Sequence, residues 1–91
     1  MEEKELREYL IEEWGEAGER VLAEVDKIDK VEMTFDDFLG YCFACGGNWS
    51  AMFLSGIKKL WPQIWDAIPE NMGHHFWVCL SVLIKLCGVK S

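Results

Sequence analysis

At 91 residues, with 51% hydrophobic and 13% aromatic side chains and a formal net charge of −7, the chain can build one modest core, is too apolar to stay disordered and is too acidic to grip nucleic-acid phosphates. A domain of this length has a radius of gyration of about 12 Å and buries roughly 60 to 65% of its unfolded-chain surface. Charge is segregated: residues 1–37 carry 14 acids against five bases, net −9, whereas residues 38–91 carry only Asp66 and Glu70 against Lys58, Lys59, Lys85 and Lys90, net +2.

From Glu2 to about Lys30, the residues Leu6, Leu10, Trp14, Ala17, Val21, Val25 and Ile28 recur at steps of three and four, which predicts a long amphipathic helix. At 100° per residue, Glu5, Glu8, Glu12, Glu16 and Glu19 then fall together on the opposite side. Gly15 and Gly18 lower helix propensity by about 1 kcal/mol each relative to Ala, so they either kink this helix or split it into a pair. The opening MEEKELREYL has no apolar run behind a basic start, so no secretory signal is expected.

Thr34 followed by Asp36 and Asp37 predicts an N-cap with acids in the first turn, where the helix dipole favours negative charge. Phe35, Phe38, Leu39, Cys42 and Phe43 continue this second helix, and Gly46 stands where a left-handed C-cap belongs. Asn48 then caps a third helix whose Trp49, Met52, Phe53, Gly56, Ile57, Leu60 and Trp61 keep helical spacing. Pro62 suits the first turn of a new short helix, PQIWDAI, and Pro69 ends it.

The last helix is expected from about His74 to Cys87, with Gly88 as its C-cap and only Ser81 and Lys85 as a polar strip, so it should be the most buried element. Its apolar run, FWVCLSVLIKLC, has 12 residues and includes Lys85, too short and too charged to span a bilayer. No alternating β-branched run competes with these helices. The expected fold is therefore all-α, a compact single domain of four to five helices. Residues 1–31 form its acidic helix or helix pair, and residues 34–91 its apolar helical core.

Several chemistries can be weighed. Cys42 and Cys45 have the spacing of half a zinc knuckle, and His75 and Cys79 at i and i+4 could complete four ligands. Against this, both knuckle cysteines continue the apolar stripe of Phe35, Phe38 and Leu39, where a free Cys behaves as a small hydrophobe. A redox pair would need a helix N-terminus or nearby cations to lower the thiol pKa, and this pair is expected at a helix C-terminus.

A helix, GGN turn and helix also has the loop length of a DNA-reading motif. The would-be recognition helix offers only Ser50, Ser55, Lys58 and Lys59 to base edges, so an αα-hairpin is the better reading. His74 and His75 could form an acid-base pair, but no nucleophile, orienting acid or phosphate loop accompanies them, and no enzymatic activity or cofactor is expected. Four cysteines without an export signal read as reduced thiols of a cytoplasmic protein. The sequon Asn48-Trp49-Ser50 would matter only after secretion.

Two features carry more functional content. The row Glu5, Glu8, Glu12, Glu16 and Glu19 places carboxylates about 5 to 6 Å apart, comparable to successive phosphates of a nucleic-acid strand, and could occupy a basic groove on a nucleic-acid-binding protein. The plainer reading is a solvated helix face that keeps a Trp-rich domain soluble. The tryptophans exceed what so small a core holds, since each indole N–H needs a partner, and Trp61 and Trp65 are candidates for a partner surface or homodimer contact.

The stretch TFDDFLGYCFACGGNWSAMFLSGIKKLWP, residues 34–62, resembles a segment of small uncharacterised proteins of phages and mobile elements in Firmicutes. Phe35, Phe38, Leu39, Cys42, Cys45, Gly46, Gly47, Asn48, Trp49, Met52, Gly56 and Ile57 carry the likeness. It implies an accessory or host-directed role and brings no catalytic residue. The expected function is a non-enzymatic protein–protein interaction module, an inhibitor or regulator acting through its acidic helix without direct contact to nucleic acid or membrane. A small structural zinc-binding domain is the alternative.

Overall fold

The computed structural model describes residues 2–42, 48–70 and 75–90. The expected long first helix is two helices, α1 (Glu3–Trp14) and α2 (Glu16–Val25), joined by Gly15 alone. Gly15 has φ 60° and ψ −129°, a conformation that L side chains avoid and that stops α1, while its N–H still closes the last turn on Ile11 O at 2.7 Å. The chain then folds back so that α2 packs along α1. Gly18 permits the closest approach, since a Cβ there would stand 2.5 Å from the Leu10 carbonyl oxygen.

Leu6 and Leu10 of α1 and Val21, Leu22 and Val25 of α2 turn inward, as their spacing predicts. At the open end of the hairpin, Arg7 Nη1 and Nη2 donate to Asp26 Oδ1 and Oδ2, both at 3.0 Å.

A turn over Asp26, Lys27 and Ile28 and a short irregular segment lead from α2 to β1 (Met33–Thr34) and α3 (Phe35–Leu39). The predicted cap at Thr34 is a full capping box: Asp37 N donates to Thr34 Oγ1 at 3.2 Å, and Thr34 N donates to Asp37 Oδ2 at 3.4 Å. The helix is shorter than expected, turning at Gly40 and Tyr41 rather than running to Phe43. The expected C-cap at Gly46 lies outside the described residues.

Asn48 caps α4 (Trp49–Leu60), its Oδ1 accepting from Ala51 N at 3.1 Å. Trp61 then leaves the helical region, at φ −139° and ψ 73°, because the ring of Pro62 crowds the residue before it. Pro62 opens α5 (Pro62–Ala67), and α6 runs Phe76–Leu86.

The centre is α6, as expected: Phe76, Cys79, Leu80, Val82, Leu83, Ile84 and Leu86 are all buried. It is flanked by α1 and α4, while α2 packs on α5 and α3 on α4. One contiguous core extends from Leu6 to Val89, and the radius of gyration is 12.0 Å.

An unexpected element closes the fold. After Cys87 and Gly88 the chain forms β2 (Val89–Lys90), which pairs in parallel with β1 in the register Met33 with Val89 and Thr34 with Lys90. Gly88 has φ 110°, and the Val31 backbone lies where its Cβ would be. Lys30 Nζ donates to Leu86 O at 2.6 Å, placing a cation at the negative end of α6. With six helices and this two-residue ladder among the described residues, the fold is all-α. No helix among them is long and apolar enough to cross a membrane.

Candidate interaction surface

On α1, Glu5, Glu8 and Glu12 lie within about 60° of arc, opposite Leu6, Leu10 and Trp14. On α2, Glu16 and Glu19 occupy the side opposite Val21 and Val25, with Arg20 beside them. All five glutamates are exposed, and none forms an ion pair among the described residues. The expected single row is therefore corrected to two segments, three carboxylates on one helix and two on the next, because Gly15 turns the chain between Glu12 and Glu16.

The neighbouring bases are largely engaged within the fold. Arg7 binds Asp26, Lys27 Nζ reaches Glu24 Oε1 at 3.2 Å, and Lys30 caps α6. The hydrogen bonds from Arg7 hold the Asp26 carboxyl below its ordinary range and raise the Arg7 guanidinium in turn. Lys4 and Arg20 are the bases of residues 1–37 outside these contacts among the described residues, so the exposed carboxylates outnumber the remaining cations and the field on that side of the molecule is net negative.

The tryptophans sort into two groups. Trp61, expected at a partner surface, is instead a core residue: it is 6% exposed and its ring stacks on Phe38 with centroids 6.2 Å apart and planes 14° apart. The extended turn before Pro62 aims it inward. Trp65, four residues on, remains on the surface at 36% exposure, with Lys58 Nζ 4.6 Å from its ring centroid. Trp49 and Trp77, at 53% and 49% exposed, are the larger apolar surfaces; Trp49 rests one side on Phe53.

Of the four residues with zinc-ligand spacing, Cys45 lies outside the described residues. Cys42 sits against Phe38, its Sγ 3.6 Å from the Phe38 carbonyl oxygen and in the space that a side chain at Gly56 would fill. Cys79 is buried on the face of α6 that packs against α1, and burial pushes its thiol up to about 11. His75 is exposed at the start of α6. Among the described residues, no three His, Cys, Asp or Glu side chains converge as a metal site would require. His74, the partner proposed for His75 in acid-base chemistry, also lies outside them.

Sequence reasoning missed one convergence. Asp66 and Glu70, the two acids of residues 38–91, both line an open groove of about 300 Å³ together with Trp65 and Phe76. They come from α5 and the segment after it, and no spacing rule links them across α5, that segment and α6 to Phe76.

Comparison of the chain with family models, with curated proteins and with solved structures finds no match.

Proposed function

We propose that this protein is a small non-enzymatic interaction module of the cytoplasm, a phage- or mobile-element-encoded inhibitor or regulator whose acidic hairpin engages a basic surface on a nucleic-acid-binding protein. One observation carries the reading: Glu5, Glu8, Glu12, Glu16 and Glu19 are exposed and unpaired among the described residues, while Arg7, Lys27 and Lys30 are held by other groups of the fold. Setting five exposed carboxylates against Lys4 and Arg20 as the remaining bases of the hairpin costs self-repulsion, and a cationic partner relieves it. The two-segment layout suits a convex insert into a basic depression more than a straight rod along a groove.

The test compares affinity capture from host lysate by the wild type and by a variant with all five glutamates changed to Gln. A basic protein retained by the first should be lost by the second, with affinity down by at least about tenfold and further weakening as salt rises. Because the five positions are exposed, the thermal midpoint should hardly move. Retention by both forms, or binding indifferent to salt, overturns the proposal.

A further inference from the structure

The groove beside α5 is the feature that the acidic-hairpin reading leaves unused. Its apolar lining includes Leu54 of α4, Trp65 of α5, Ile68 and Phe76 of α6, and among the described residues its polar lining is Asp66 and Glu70. Both carboxylates are exposed and neither forms an ion pair among the described residues. The acids of this half of the chain are thus gathered at one apolar groove, and of its four lysines Lys58 reaches the groove's edge, over the ring of Trp65.

Position strengthens the case. Phe76 touches Trp14, the last residue of α1, with ring centroids 6.1 Å apart, and Glu13 and Glu16 flank Trp14 and Gly15 in sequence. One aromatic contact therefore joins the groove to the acidic corner of the hairpin.

We infer that this groove is a docking site for a cationic, apolar-anchored peptide segment of the partner, its aliphatic or aromatic side chain seated between Trp65 and Phe76 and its flanking Lys or Arg residues on Asp66 and Glu70. Lys58 already holds an ammonium 4.6 Å from the Trp65 centroid, so the ring takes the partner's apolar side chain and the carboxylates take its cations. Apolar contact supplies affinity in such a groove, and charge selects the sign of the partner. The inference rests on the proposed function in one respect, that the partner is basic.

The experiment titrates the full chain calorimetrically with two synthetic peptides of equal charge, one alternating Leu with Lys and one alternating Gly with Lys, and follows the indole N–H resonance of Trp65 by NMR. The Leu/Lys peptide should bind at least about tenfold more tightly and shift the Trp65 resonance, and D66N/E70Q should weaken it by about tenfold. Equal binding of the two peptides, an unmoved Trp65 signal, or binding unaffected by D66N/E70Q overturns the groove and leaves the acidic-hairpin reading standing. If the groove binds as expected while the five-glutamine variant still retains the natural partner, the hairpin reading falls and the groove remains.

Discussion

Arg7 and Asp26 lie nineteen positions apart, yet the guanidinium and carboxylate meet face to face through two parallel hydrogen bonds of 3.0 Å, fastening the start of α1 to the end of α2. Arg7 keeps its charge at every accessible pH, so the carboxylate alone sets the pH dependence of this latch. Its native value is held below the ordinary 3.8 by Arg7, so the unfolded chain takes up a proton first as pH falls. The stabilising contribution is complete above about pH 4 and disappears as pH drops through the native value. Acid unfolding followed by circular dichroism should show D26N starting from a slightly lower stability near neutrality, with a shallower loss below pH 4. A D26N profile parallel to the wild type at every pH would mean the latch contributes nothing.

The two glycines of the hairpin act for different reasons and should fail differently. G15A meets open space but must adopt φ 60° and ψ −129°, at a cost of about 1 to 3 kcal/mol. G18A keeps ordinary helical angles but drives its Cβ into the Leu10 carbonyl, which cannot swing aside as a side chain would. Overpacking of about 1 to 3 kcal/mol should outweigh the roughly 1 kcal/mol of helix propensity gained. Urea midpoints should fall for both, and a more stable G18A would show that α1 and α2 do not approach as closely as described.

Cys79 and Cys87 are thiols sealed in the core, and burial pushes them up to about 11 and about 12 from an ordinary value of 9. Above pH 9 the unfolded chain releases thiol protons that the native chain retains, so stability declines as pH rises from 9 towards 11 and 12. At pH 8 a thiol reagent followed by peptide mapping should leave both unlabelled until urea unfolds the chain. Rapid labelling of Cys87 in the native protein would contradict its burial beside α6.

Metal content separates the interaction reading from a zinc domain built on Cys42, Cys45, His75 and Cys79. Purified protein should contain no stoichiometric zinc, and a chelator should leave its thermal midpoint unchanged. About one zinc per chain, lost together with the fold on chelation, would replace the interaction reading by the zinc one.

Local signals in the chain were good guides wherever a single turn decides the outcome. Thr34 and Asn48 carry the side-chain oxygens that cap helices, Pro62 expels its predecessor from α4, and an almost unbroken apolar run with only Ser81 and Lys85 as a polar strip marks α6 as central. What was not legible depends on contacts between distant residues. The period of Leu6, Leu10 and Trp14 is the same whether Gly15 bends or breaks the helix; the Leu10–Gly18 approach decides it. Trp61 and Trp65 sit a helical turn apart and read alike, but only Trp61 lies beneath Phe38. The β1–β2 ladder has two residues a side and no side-chain pattern to announce it. The groove acids Asp66 and Glu70 belong to no motif until the fold brings Phe76 of α6 to the border of the same groove.

The division of the indoles has a practical consequence for spectroscopy. Trp61, packed under Phe38, should emit at short wavelength and resist acrylamide until the protein unfolds, whereas Trp49 and Trp77 should emit red and quench readily. Trp65 stands between them, half covered and bordering the groove. The chain thus carries its own reporters: the blue component follows folding, and changes in the quenchable component without loss of the blue one register a molecule arriving at the surface.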